Sequence, residues 1–139
     1  MKVERCAVIA VDPGRNLGVA CLARDGQLLS QFVIDLAAFR ELTLPAAAAV
    51  VVGDGTGSEE VLRALAERGV KAELVDETGS SLEGRQLHWQ LNPPRGLLRL
   101  LPSGLLPVPT GLDGWAAYAI GLRWLADQPA DGASNRERR

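Results

Sequence analysis

Cysteine is nearly absent: Cys6 and Cys21 are the only two in 139 residues, and no Cys-x-x-Cys or Cys/His cluster surrounds them. Zinc and a disulfide framework are therefore not expected, and a reducing cytoplasm fits best. No apolar run is long. The longest, residues 46–52, is far below the roughly twenty residues that span a bilayer, and no export signal or membrane anchor is expected. An excess of one charge is missing too: fifteen basic against seventeen acidic residues leave a net charge of -2. That argues against a polycation that coats nucleic acid or anionic lipid, so any contact with a polyanion must be local. The chain is too short for an enzyme that clamps a nucleotide between two full lobes, and it carries no internal repeat. What remains is an ordinary globular composition, 47% apolar and 23% charged, sufficient for one compact domain over residues 1–127. Residues 128–139, polar and arginine-bearing, read as a disordered basic tail.

Residues 6–11 form a short apolar run stopped by Asp12-Pro13-Gly14, which predicts a buried first strand. Two further strands, 17–22 and 27–34, flank Asp25-Gly26, a dipeptide suited to a tight hairpin. Asp35 can cap a short helix bearing Leu36, Phe39 and Leu42. Residues 48–52 predict a fully apolar strand. Ser58 reads as the N-cap of a helix with Glu59 and Glu60 in its first turn, Val61, Leu62, Leu65 and Ala66 on its buried face, and Gly69 at its end. A strand follows at 71–75, and Ser80-Ser81-Leu82-Glu83 has capping-box spacing for a helix to about residue 91. Residues 92–110 hold five prolines and two glycines among many leucines, which predicts an ordered loop lying on the core. A last helix spans 112 to about 126. Three antiparallel strands followed by alternating units imply an α/β fold: a five-stranded mixed sheet, three strands in a meander and two parallel, with helices on both faces.

Acids gather at one edge of such a sheet. Asp12 ends the first strand, Asp54 follows the 48–52 strand, and Asp76-Glu77 follow the 71–75 strand, so three parallel strands each deliver a carboxylate to the same side. Asp113 opens the last helix and shares a stripe with Ala116, Ala117, Ile120 and Trp124. Each acid alone suits a turn or a helix start. Turn chemistry gives no reason for all of them to lie together. Converging carboxylates repel one another and hold their protons unless cations neutralise them, and hard Mg²⁺ or Mn²⁺ ions are the natural partners. Two such ions about 4 Å apart can drive phosphodiester hydrolysis.

The segment Ala7-Val8-Ile9-Ala10-Val11-Asp12-Pro13-Gly14, with Gly18-Val19-Ala20, resembles the first-strand motif of the RuvC/YqgF group of nucleases, which have the RNase H-like fold. Val75-Asp76-Glu77 resembles the acidic segment after the last strand of YqgF-type proteins. Asp113-Gly114-Trp115-Ala116-Ala117 resembles the acid-led final helix of both branches. The resemblance runs from residue 7 to residue 125. It implies a metal-dependent nuclease with Asp12, Glu77 and Asp113 as catalytic, metal-binding acids, to which the strand-edge argument adds Asp54 as a metal ligand. The group is associated with Holliday junction resolution in its RuvC branch and with maturation of the 5′ end of 16S ribosomal RNA in its YqgF branch. Two departures stand out. Gly114 and Ala116 lie near the place where resolvases carry a second acid in the final helix, and Gly53-Asp54-Gly55-Thr56-Gly57 replaces their glutamate and wedging aromatic.

Neutralising Asp12, Asp54, Glu77 and Asp113 with two divalent ions moves the formal charge from -2 to +2. Residues 84–112 contain no acid, and Arg85, His88, Trp89, Arg95 and Arg99 make them a candidate cradle for structured RNA or DNA, with Arg15 as a second phosphate contact. A catalytically inactive RNase H-like module that binds nucleic acid or protein is the alternative. A nucleotide-binding module, suggested by the glycine-rich turns at 12–14 and 54–57, would need a second such domain. The final helix is apolar nearly all round, so it is either buried on both sides or pairs with another copy in a homodimer.

Overall fold

The computed structural model describes residues 5–128. The tail expected from residue 128 falls almost entirely outside the described residues. Strands β1 (Val8–Asp12), β2 (Leu17–Leu22) and β3 (Leu28–Ile34) lead through helix α1 (Leu36–Glu41) to β4 (Ala49–Gly53), α2 (Ser58–Glu67), β5 (Glu73–Val75), α3 (Ser80–Leu91) and α4 (Leu112–Ala126). The sheet order is β3-β2-β1-β4-β5. β1–β2 and β2–β3 are antiparallel, while β1–β4 and β4–β5 are parallel. This is the five-stranded mixed sheet expected from the sequence, three strands in an antiparallel meander and two added in parallel. Among the described residues no helix is long and apolar enough to cross a membrane.

Strand alternation divides the apolar residues between two faces. Ile9 and Val11 of β1 join Val50, Val52, Phe39, Val61 and Leu65 in a core beneath α1 and α2. Val8 and Ala10 join Ala20, Val51, Ala117 and Ile120 in a second core beneath α4. The α4 face is built from small residues: a methyl group on Gly121 would stand 2.8 Å from Leu22 Cδ1 and 3.2 Å from Ala10 Cβ. Such close approach buries Gly114 to Gly121 without interruption, sheet on one side and α3 on the other. Of the two alternatives for the last helix, burial on both sides holds for Gly114 to Gly121, while Leu122 to Leu125 are partly exposed.

Two helix starts, those of α2 and α3, differ from expectation for one reason, and α4 shares the device although it begins at Leu112 as expected. α2, α3 and α4 are each preceded by a glycine in the left-handed region, Gly57, Gly79 and Gly111 at φ 94°, 77° and 74°. These glycines occupy the N-cap, so Ser58 and Ser80 are first helical residues and no capping-box bond forms. On α2 the buried residue is Ala64, not Ala66. Asp35 does cap α1, its Oδ1 accepting from Ala38 N–H at 2.8 Å. Asp35→Ala is expected to lower stability by about 1 kcal/mol, read as a shift of the denaturation midpoint with an unchanged slope.

The cysteines also depart from expectation. Cys6, just before β1, and Cys21 of β2 form a disulfide with Cα atoms 5.8 Å apart. Both side chains enter the core beneath α1 and α2, where the antiparallel hairpin brings distant positions side by side. The 92–110 loop is ordered by two short 3₁₀ turns, Gly96–Leu100 and Ser103–Leu105. Its leucines mostly do not lie on the core: Leu106 is buried, whereas Leu97 and Leu100 are 83% and 76% exposed.

Candidate active site

Side-chain alternation decides where Asp12 points. Val8 and Ala10 face α4, so Asp12, two residues on, faces it as well, at the carboxyl end of β1 and paired across the strand with Gly18 of β2. Gly18 explains how Asp113 reaches the same place. A Cβ at Gly18 would strike the backbone carbonyl of Asp113, so only glycine lets the first turn of α4 rest directly on β2. From the other side Gly84 of α3 fits against the backbone of Trp115 and Ala116, where a Cβ would come within 2.6 Å of Ala116 N. Asp113 is held between sheet and helix by these two absences.

Glu77 arrives by a different device. Gly53 of β4 pairs with Val75 of β5, and the chain beyond β5 turns Glu77 back over the end of β4. Its carboxylate occupies the space that side chains at 53 and 55 would fill: a Cβ on Gly53 would lie 2.5 Å from Glu77 Oε1, and one on Gly55 would collide with Oε2. Asp54 steadies the turn, its Oδ1 accepting from Glu77 N–H at 3.2 Å. Asp54 itself is exposed, and its bond serves Glu77. Asp76 also points away, its carboxylate held below the usual range chiefly by the Thr78 backbone N–H. Of the acidic pair, Glu77 is the one turned inward.

The electrostatics follow from this packing. Asp12 is only 9% exposed. Its carboxyl is pushed up to about 7, first by burial and then by the negative charges of Glu77 and Asp113. Glu77 Oε1 is buried and has no hydrogen-bond partner. A carboxylate oxygen left so, beside a second carboxyl that keeps its proton, is the state expected of a cation site built from acids alone. Among the described residues no three His, Cys, Asp or Glu side chains already stand close enough to enclose one ion. The donor set, carboxylate oxygens only, is of the kind that suits Mg²⁺ or Mn²⁺. At the places on α4 where a second acid could fall, Gly114 lies against the end of the Gln31 side chain of β3 and Ala116 is fully buried.

The expected nucleic-acid cradle is rearranged. Arg85 donates to the carbonyls of Gly104 and Leu106, and Trp89 Nε1 donates to Pro107 O at 3.1 Å. These two side chains hold the loop onto α3, a use that single-sequence reasoning had no means to see. His88 is packed edge-on between Trp89 and Trp115, ring centroids 4.7 and 5.2 Å away. Arg15, in the β1–β2 turn, and Arg95 and Arg99, in the loop, are exposed.

No protein-family model and no curated protein matches the sequence. Solved structures do match it. A structure of Thermus thermophilus RuvC is 20% identical with a TM-score of 0.49, covering 83% of this chain and 90% of its own. T. thermophilus RuvC in complex with Holliday junction substrate is 19% identical with a TM-score of 0.46, covering 84% and 91%.

Proposed function

We propose that this chain is a divalent-metal-dependent nuclease that hydrolyses phosphodiester bonds in structured nucleic acid, with four-way DNA junctions and precursor 16S ribosomal RNA as the substrates to test. The observation that carries the reading is the convergence of Asp12, Glu77 and Asp113 from β1, the β5 turn and α4 onto one corner of the sheet. These residues would hold Mg²⁺ or Mn²⁺, in keeping with a pair of ions. The chemistry such ions supply when bound is activation of a water and stabilisation of the leaving oxygen. The chain contributes placement. Asp12 exchanges its proton with solvent near neutrality, Glu77 is fixed against Gly53 and Gly55, and Asp113 rides on the turn seated at Gly18. Arg15, three residues beyond Asp12, is free to meet a phosphate.

A second reading, a binding module without cleavage, is favoured by the absence of an acid at Gly114 and at the fully buried Ala116. Wild type and Asp12→Asn, compared on four-way junctions, single-stranded RNA and precursor ribosomal RNA with Mn²⁺, Mg²⁺ or chelator, separate the two. Cleavage by wild type with metal, falling by a factor of about 10² or more in the variant and in chelator, is the expected result. Equal cleavage by both proteins, or cleavage in chelator, would overturn the nuclease reading. Binding without cleavage under every ion would establish the second.

A further inference from the structure

Away from the acids, α3 and the loop that follows it enclose a groove of about 590 Å³, lined by Leu82, Arg85, Trp89, Pro94, Leu101 and Leu106. Gln86, Gln90 and Ser103 add polar groups to its lining. Leu82 on α3, and Leu97, Leu100, Leu105 and Val108 along the loop, are all more than half exposed. Isolated exposed leucines are common, but a largely apolar groove on a loop that carries several of them marks a contact surface. Among the described residues, the one charged side chain lining it is Arg85. Residues 84–112 contain no acid, and Arg95 and Arg99 stand exposed beside Leu97 and Leu100, in a chain whose net charge is -2.

From this complementarity we infer that the groove docks an acidic amphipathic segment of a partner protein, its apolar side chains entering between α3 and the loop and its carboxylates meeting Arg95 and Arg99. The inference goes beyond the nuclease reading and stands without it. Nucleic acid fits less well: the exposed side chains are aliphatic, and the one aromatic in the groove, Trp89, has its indole N–H committed to Pro107 and its ring against His88. The chain's own residues 129–139 offer Arg136, Arg138 and Arg139 and no large apolar side chain, so they match neither the groove nor its charge.

Fluorescence anisotropy with a labelled peptide of leucine, phenylalanine, aspartate and glutamate tests the inference on the full chain. A control peptide replaces each acid with its amide. The acidic peptide should bind, the amide peptide should bind at least about tenfold more weakly, and added salt should narrow that gap. Leu97→Ser and the double change Arg95→Glu with Arg99→Glu lie on exposed positions, and each should weaken binding about tenfold or more with an unchanged melting temperature. Equal affinity for the two peptides, or full affinity in both variants, overturns it. So does displacement of the peptide by a DNA junction, or sedimentation showing that a second copy of the chain covers Leu97 and Leu100.

Discussion

Gly18→Val should cost on the order of 3 kcal/mol of stability and displace the first turn of α4 from the sheet. The added side chain has nowhere to go. Its Cβ alone would overlap the carbonyl of Asp113 and lie 2.8 Å from Gly114 N, both backbone atoms that no rotamer change can move. Relief requires α4 to lift, and α4 carries Trp115, Ala117 and Ile120 into the core it shares with β1 and β2. Gly104→Ala is the matched control, because nothing lies within 4 Å of a Cβ there. Urea denaturation of the two variants should separate them by at least about 2 kcal/mol, with Gly104→Ala close to wild type. Equal midpoints would mean that α4 does not rest on β2 as described.

Asp12 should make the metal-free protein less stable as pH rises. Its folded-state value near 7 lies above the ordinary 3.8, so between those values the folded chain holds a proton that the unfolded chain has lost. The favourable contribution is complete below the unfolded value and disappears as pH climbs through the folded one. The slope reaches up to about 1.4 kcal/mol per pH unit across that window and is flat above it. Asp12→Asn mimics the protonated acid at every pH. In chelator the variant should therefore gain on wild type from pH 5 to pH 8, by several degrees of melting temperature at the upper end. Adding Mn²⁺ should reverse the order at pH 8, because only the ionised wild-type carboxylate binds the cation. Parallel melting curves at both pH values would show that Asp12 is neither buried nor crowded by charge.

Much of this was legible in the residues. Apolar runs ending in Asp12 and near Asp54 gave the strands and their polarity, and once β1, β4 and β5 are parallel their acids must share an edge. Which acids turn inward was not legible, since it depends on empty space. Glu77 faces Asp12 because Gly53 and Gly55 leave room for it, while Asp54 hydrogen-bonds the backbone of Glu77 across a sequence gap that no local pattern records. Gly18 and Gly84 position Asp113 in the same way, through side chains they lack. Ser58 and Ser80 misled because both are good caps in isolation, yet each follows a glycine whose left-handed backbone had already started the helix. Arg85 and Trp89 suit phosphate and base recognition by type. Their actual partners are loop carbonyls about twenty residues away, contacts set by tertiary packing alone.

Calorimetric titration of Mn²⁺ at pH 8 into wild type, Asp12→Asn, Glu77→Gln, Asp113→Asn and the outward-facing Asp76→Asn bears most directly on whether three distant acids form one cation site. Wild type and Asp76→Asn should bind alike, and each of the other three should lose affinity by about tenfold or more. Retention of wild-type affinity by Asp12→Asn, Glu77→Gln and Asp113→Asn would contradict the shared site.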